Sequence, residues 1–178
     1  MCEHQPCDSF GPDGSRRPLW APWRIEYIKE KDNGEGCFIC DQLASADNGE
    51  ENLVIARGET CFLLLNRYPY NSGHTMVSPY RHVGDISDLT DDELNETMAL
   101  IVHMKAVLSD VMHPQGFNFG FNLGVGGGAG LLDHLHGHLV PRWVGDTNFM
   151  PVIADIRVVP EALNQTAAKL RQAWNARF

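Results

Sequence analysis

A single long amphipathic stretch, set between groups of short strand-forming runs, limits this chain more than any other feature. It opens at Thr90, a natural helix cap with Glu93 three residues later, begins at Asp91 and cannot continue past Pro114. Leu94, Met98, Ile101, Val102, Val107, Leu108 and Val111 follow helical spacing and are expected to be its apolar face. Upstream, residues 52–57 and 60–66 are rich in β-formers and meet at Gly58-Glu59, which predicts a hairpin. Pro69, Asn71, Ser72 and Gly73 predict a turn, and residues 74–79 a third strand. Downstream, Phe117, Phe119 and Phe121 alternate with Asn118, Gly120 and Asn122 at strand spacing. A glycine-rich bend from Gly124 to Gly130 leads into a strand over 134–140, with a further strand expected at 152–159 and a helix at 161–178. Short, closely linked strands around one long helix predict an α+β domain: an antiparallel sheet of about five strands, with the helices to one side.

The chain of 178 residues suits one such domain. Residues 1–17 carry Pro, Gly, Ser and charge without periodicity and are expected to be a flexible arm, leaving 18–178 as the domain, with its core at 37–150 and a C-terminal extension at 151–178. Trp20 and Trp23 sit within an apolar segment, 19–28, expected to strap across the domain. With 14 Lys and Arg against 23 Asp and Glu, the net charge of −9 excludes a general basic surface for nucleic acid. No run approaches the roughly 20 apolar residues of a bilayer span, and the N-terminus lacks the apolar centre of a secretory signal. Five cysteines do not make a full disulfide framework, so the cytoplasm is the expected compartment.

Chemistry concentrates in His134-Leu135-His136-Gly137-His138. On an extended strand the three imidazoles share one face, and three such groups are poor core material because each needs a polar partner. Two uses compete: a three-histidine metal site, or a nucleophile flanked by helpers. The preceding Asn122-Leu123-Gly124-Val125-Gly126-Gly127-Gly128-Ala129-Gly130 favours the second, since such a run can present backbone N–H groups to an anion. Imidazole attacks phosphorus well when one ring nitrogen is free and a carbonyl holds the other as a donor.

The run His134-Leu135-His136-Gly137-His138-Leu139-Val140 resembles the defining motif of histidine triad (HIT) proteins, and 66–79, from Asn66 through Tyr68-Pro69 and Gly73-His74 to Pro79, resembles their second signature. Asp133 before the triad, and Val140-Pro141-Arg142-Trp143 with Gly145-Asp146 after it, are similar to the branch that includes bacterial diadenosine tetraphosphate phosphorylases. The resemblance implies a HIT-like homodimer that acts on a dinucleoside polyphosphate through a nucleotidyl-histidine intermediate. It implies His136 as nucleophile, His138 as donor to the phosphoryl oxygens, Asn66 at the ribose, Asn122 at ribose or phosphates, and His74 as support behind the triad. Gly128, Ala129 and Gly130 belong to the expected phosphate cradle, and His134 to the triad. Hydrolytic relatives often place a polar side chain shortly before the triad; here the chain reads Ala129-Gly130-Leu131-Leu132, which points to inorganic phosphate rather than water as acceptor. The alternatives are hydrolysis of dinucleoside polyphosphates or nucleoside phosphoramidates, and a purine-nucleotide-binding protein of low turnover.

Cys37-Phe38-Ile39-Cys40 leaves three readings from its spacing alone: a redox pair, two half-buried thiols, or half of a zinc site. The thioredoxin-like strand-then-helix context of a redox pair is missing. The resemblance implies structural zinc held by Cys37, Cys40, His82 and His134, and no organic cofactor. Cys61, within a strand, is expected in the core; Arg142 is either a positive charge near the acceptor or a surface ion-pair partner.

Overall fold

The computed structural model describes residues 36–45, 52–146 and 161–178. The arm at 1–17, the aromatic segment at 19–28 and the strand expected over 152–159 lie outside them. The described elements are helix α1 (Phe38–Ala44), strands β1 (Val54–Arg57), β2 (Cys61–Leu65) and β3 (Thr75–Pro79), the long helix α2 (Asp91–Met112), strands β4 (Gly116–Phe121) and β5 (Gly137–Arg142), and helix α3 (Leu163–Arg177). The strands form one antiparallel sheet in the order β1-β2-β3-β5-β4.

All five residues of β2 are buried, so this strand is covered on both faces, as its unbroken apolar run Cys-Phe-Leu-Leu-Leu requires. On one face Leu63, Leu65, Val77 and Leu139 pack against Leu100, Ile101, Met104, Val107 and Leu108 of α2 and Ala167 and Leu170 of α3. On the other, Val54, Phe62, Leu64 and Met76 pack with Ile39 of α1. The hairpin between β1 and β2 closes on Glu96 of α2, whose carboxylate accepts from the amides of Glu59, Thr60 and Cys61 at 2.6–2.8 Å and from the Thr60 hydroxyl. Gly58 makes room for that contact: a Cβ there would stand 2.3 Å from Glu96 Oε1.

Helix α2 has the predicted capping box at Thr90 and Glu93 and ends at His113, which takes the left-handed conformation. Its buried face corrects the sequence reading. Leu94, Met98 and Val102 point outward, 38%, 50% and 61% exposed, while Glu93 and Thr97 are buried. The polar pair is tolerated inside because each has partners: Glu93 takes Arg81 and the Thr90 amide, and Thr97 meets the Cys61 thiol. Side-chain hydrogen bonds from Arg81 lead the causes that hold the Glu93 carboxyl down at about 2.

Candidate active site and metal centre

The register sets Met76 of β3 and Gly120 of β4 on either side of His138 in β5. Directly paired residues share a face, so His138 projects on the α1 side of the sheet, beside the part that α1 covers. The strand begins at Gly137, not at His134 as expected. His134 lies in the bend before it, and the three histidines therefore do not share one face. The cause is local: Leu135 N–H donates to Val83 O at 2.7 Å and Leu135 O accepts the Ser78 hydroxyl at 2.7 Å, which turns this segment onto the chain after β3. His134 is thereby delivered to the cysteines, while His136 and His138 stay together, ring centroids 4.9 Å apart.

The hydrogen bonds fix the proton on each ring. His74, fully buried, accepts the Tyr70 N–H on Nδ1 at 3.0 Å, with the Asn66 amide nitrogen 3.3 Å from the same atom. Its proton is therefore on Nε2, donated to His138 Nδ1 at 3.0 Å. His138 in turn carries its proton on Nε2, directed at Asn122, whose amide lies 3.3 Å away and must present its oxygen there. His136 donates Nδ1–H to His134 O at 2.9 Å, which leaves a lone pair on Nε2; among the described residues nothing hydrogen-bonds that atom. Burial pushes the His136 imidazole below its ordinary pKa, and burial first, then the neighbouring His136, brings His138 down to about 4. Both rings are neutral at neutral pH: one has a free nitrogen that could act as a nucleophile, the other is an N–H donor beside it.

The second cluster is closed. Cys37 Sγ and Cys40 Sγ lie 3.3 and 3.4 Å from His134 Nδ1, and Cys40 Sγ lies 3.4 Å from His82 Nδ1. The ligand atoms of all four residues fall within 4.8 Å of one another, as zinc–ligand bonds of about 2.0–2.3 Å require. His134 donates Nε2–H to Pro79 O at 3.0 Å, so Nδ1 faces the thiols as a lone pair, the form a metal needs. Two thiols and two imidazoles in this arrangement fit a closed four-ligand metal centre.

The other predicted residues divide. Asn122 stands at the mouth of the site, whereas Asn66 stands behind it, its oxygen accepting the Tyr68 N–H at 2.9 Å and its nitrogen on His74. In the glycine bend the amides of Gly128 and Ala129 donate to Val125 O and Gly124 O, so as the loop stands they close the turn itself. Arg142 forms a two-pronged ion pair with Asp146 at 2.6 and 2.9 Å and donates to Asn118 Oδ1, at the opposite end of β5 from His136. It is the ion-pair partner, not a charge at the acceptor. Cys61 is in the core, as expected. The sequence reading passed over Tyr70, whose ring covers His74 and His138 at 4.6 and 5.7 Å. A tyrosine one residue after the turn-forming Pro69 was the available signal.

Comparison with known proteins adds sequence and fold likenesses. The HIT domain family model matches residues 48–144. The chain is 41% identical over 162 residues to an AP-4-A phosphorylase of Mycobacterium tuberculosis, covering 88% of this chain and 83% of that protein. It is 30% identical over 93 residues to a bis(5'-nucleosyl)-tetraphosphatase (asymmetrical) of Schizosaccharomyces pombe, about half of each chain (52% and 50%). Among solved structures, a Zn-bound histidine triad family protein from Mycobacterium smegmatis superposes with a TM-score of 0.63 at 24% identity, covering 80% of this chain and 95% of that one.

Proposed function

This chain belongs to the HIT family and is one of its enzymes, and from that premise we propose that it cleaves dinucleoside polyphosphates such as diadenosine tetraphosphate by nucleotidyl transfer through His136. The observation that carries the reading is the pairing of a free Nε2 on His136 with the fixed Nε2–H of His138. His136 Nε2 attacks the adenylyl phosphorus, the bond to the bridging oxygen breaks, and ATP leaves. His138 and Asn122 face the phosphoryl oxygens as charge builds on them. Inorganic phosphate then attacks the adenylyl group on His136, giving ADP and restoring the imidazole.

Phosphate as acceptor is supported by the 41% identity to a phosphorylase. Of the residue-level reasons for it, the absence of a polar side chain at 129–132 stands, while Arg142 is withdrawn. Asn66 at the ribose, and Gly128, Ala129 and Gly130 at the phosphates, rest on the family resemblance. Zinc in the four-residue centre would tie α1, the segment after β3 and the bend before β5 into one unit; it supplies rigidity there, not a reacting group. A homodimer fits the exposed stripe Leu94, Met98 and Val102 on α2. Val102→Glu should then yield monomers in light scattering.

The deciding experiment is chromatography of the products of diadenosine tetraphosphate at several phosphate concentrations. ATP plus ADP, formed faster as phosphate rises, establishes phosphorolysis. ATP plus AMP at a rate indifferent to phosphate makes the enzyme a hydrolase, and bound but uncleaved nucleotide makes it a binding protein.

A further inference from the structure

The turn at 69–73 is held more firmly than a connection between two strands requires. Asn71 donates from Nδ2 to Pro141 O at 3.1 Å and to Asp146 Oδ2 at 2.8 Å, and its carbonyl accepts the His74 N–H. Asp146 is in turn fixed by Arg142 and by the Trp143 N–H. Gly73, at φ +73°, sits where a Cβ would stand 2.5 Å from the sulfur of Met112, so the turn is also seated on α2. Arg142 thus serves the site from a distance: it anchors a clamp whose product is the placement of Tyr70.

Tyr70 makes two contacts with the relay of imidazoles. Its backbone N–H donates to His74 Nδ1, and its ring lies over both His74 and His138, tilted 34° to each, while 44% of the residue remains exposed. We propose that Tyr70 is a positioning residue for His138: its amide sets the proton on His74, and its ring keeps water off the His74–His138 hydrogen bond, so that His138 always offers Nε2–H to the phosphoryl group. The inference rests on the role given to His138 above. Water reaching the pair would let His138 gain a second proton on Nδ1, which would then oppose the Nε2–H of His74. The titratable groups against His138 are His74 from the start of β3, His136 from the approach to β5, and Tyr70 itself; Asn122 at the end of β4 is its other polar neighbour. Exclusion of water is consistent with the low pKa of His138, about 4, whose first cause is burial.

The test compares Tyr70→Ala with Tyr70→Phe, and with Tyr70→Leu should alanine fail to fold. With diadenosine tetraphosphate and phosphate, Tyr70→Ala should lower kcat about tenfold while KM moves less than about threefold, and its loss of activity on the acid side should begin at a higher pH. All three variants keep the backbone N–H on His74, so they test the ring: Tyr70→Phe, which keeps it, should restore at least half of the parent kcat, and Tyr70→Leu should fall between. Nitrogen-15 spectra of the histidine rings should show His138 as a single Nε2–H tautomer in the parent and a mixture in Tyr70→Ala. That readout needs no turnover, so it separates this inference from the reading of the reaction. Unchanged tautomer and acid limb in Tyr70→Ala would overturn it, as would a Tyr70→Phe defect equal to that of alanine.

Discussion

Two groups of imidazoles lie side by side on this sheet and meet at the step from His134 to His136. In the group of His134 and His82, each Nδ1 turns inward toward a cysteine sulfur, and the ring of His134 is anchored by a carbonyl on its far side. In the group of His74, His136 and His138, His74 donates to His138, whose Nε2–H points to Asn122, while His136 donates to the His134 carbonyl and keeps a lone pair on Nε2. The residue type is the same, and burial does not sort the groups, since His134 is as fully buried as His74 while His82 is exposed. What distinguishes the proposed ligand His134 from the proposed nucleophile His136 is which ring nitrogen the backbone has already claimed. His134 belongs to both groups, its ring in the closed one and its carbonyl accepting from His136 in the open one.

The largest expected effect removes the open group's lone pair. On the proposed covalent mechanism His136→Ala should reduce turnover by at least about a thousandfold, and circular dichroism should show an intact fold. A variant retaining a tenth of parental activity would mean that the outward-facing nitrogen is not the attacking one.

Breaking the closed group should act on stability instead. Elemental analysis of protein purified without added metal should find one zinc per chain. Cys40→Ala, or a strong chelator, should lower the unfolding free energy by several kcal/mol, since metal binding and folding share the same free energy. A zinc-free protein with an unchanged thermal midpoint would dissolve the contrast between the two groups.

Most of this arrangement was legible in the sequence, and the failures have physical causes. The hairpin, the capped helix and a sheet of about five strands follow from turn chemistry, capping and apolar spacing, while the four-residue cluster came from the family resemblance. Helix α1 was not foreseen because seven residues with no side-chain cap carry little periodic signal; Ile39 and the Gln42 amide, which accepts the Leu53 N–H at 2.7 Å, fix it by tertiary contact. The face of α2 was misassigned because hydrophobicity alone cannot foresee that Glu93 and Thr97 find partners inside. Alternation placed His134 with its neighbours, since nothing in the spacing reveals that Val83 and Ser78 bend the chain at Leu135.

Titration should sharpen the contrast more gently. His138 binds its proton near pH 4 in the fold and near 6.5 when unfolded, so the unfolded chain holds more protons between those values. Stability from this group is present above 6.5 and is lost as pH falls toward 4, at a slope of at most about 1.4 kcal/mol per pH unit. His136, also lowered by burial, acts in the same direction. Urea midpoints measured from neutral pH downward should decline across this window; a flat profile would mean that water reaches these rings as freely in the fold as outside it.

The smallest effect concerns the space in front of the open group. Gly120 lies directly opposite His138 in the register, on the same face, and a Cβ built there meets nothing within 4 Å. Strand interiors disfavour glycine, so a glycine left uncovered by the described residues, beside the proposed donor His138, fits a surface that a ligand approaches closely. Substitution separates the two demands. Gly120→Val adds a β-branched side chain in a conformation that suits it and should leave the thermal midpoint unchanged or raise it slightly, within about 1 kcal/mol. The same side chain would stand beside the Nε2–H of His138 and crowd a bound nucleotide, so KM should rise a few-fold while a stable fold is retained. Gly120→Ala should show the same pattern more weakly. The two measurements must move apart for the open face to be a binding surface: a raised midpoint with an unaltered KM would show that substrate does not lie over β4, and the search for its path would turn to the side of the glycine bend.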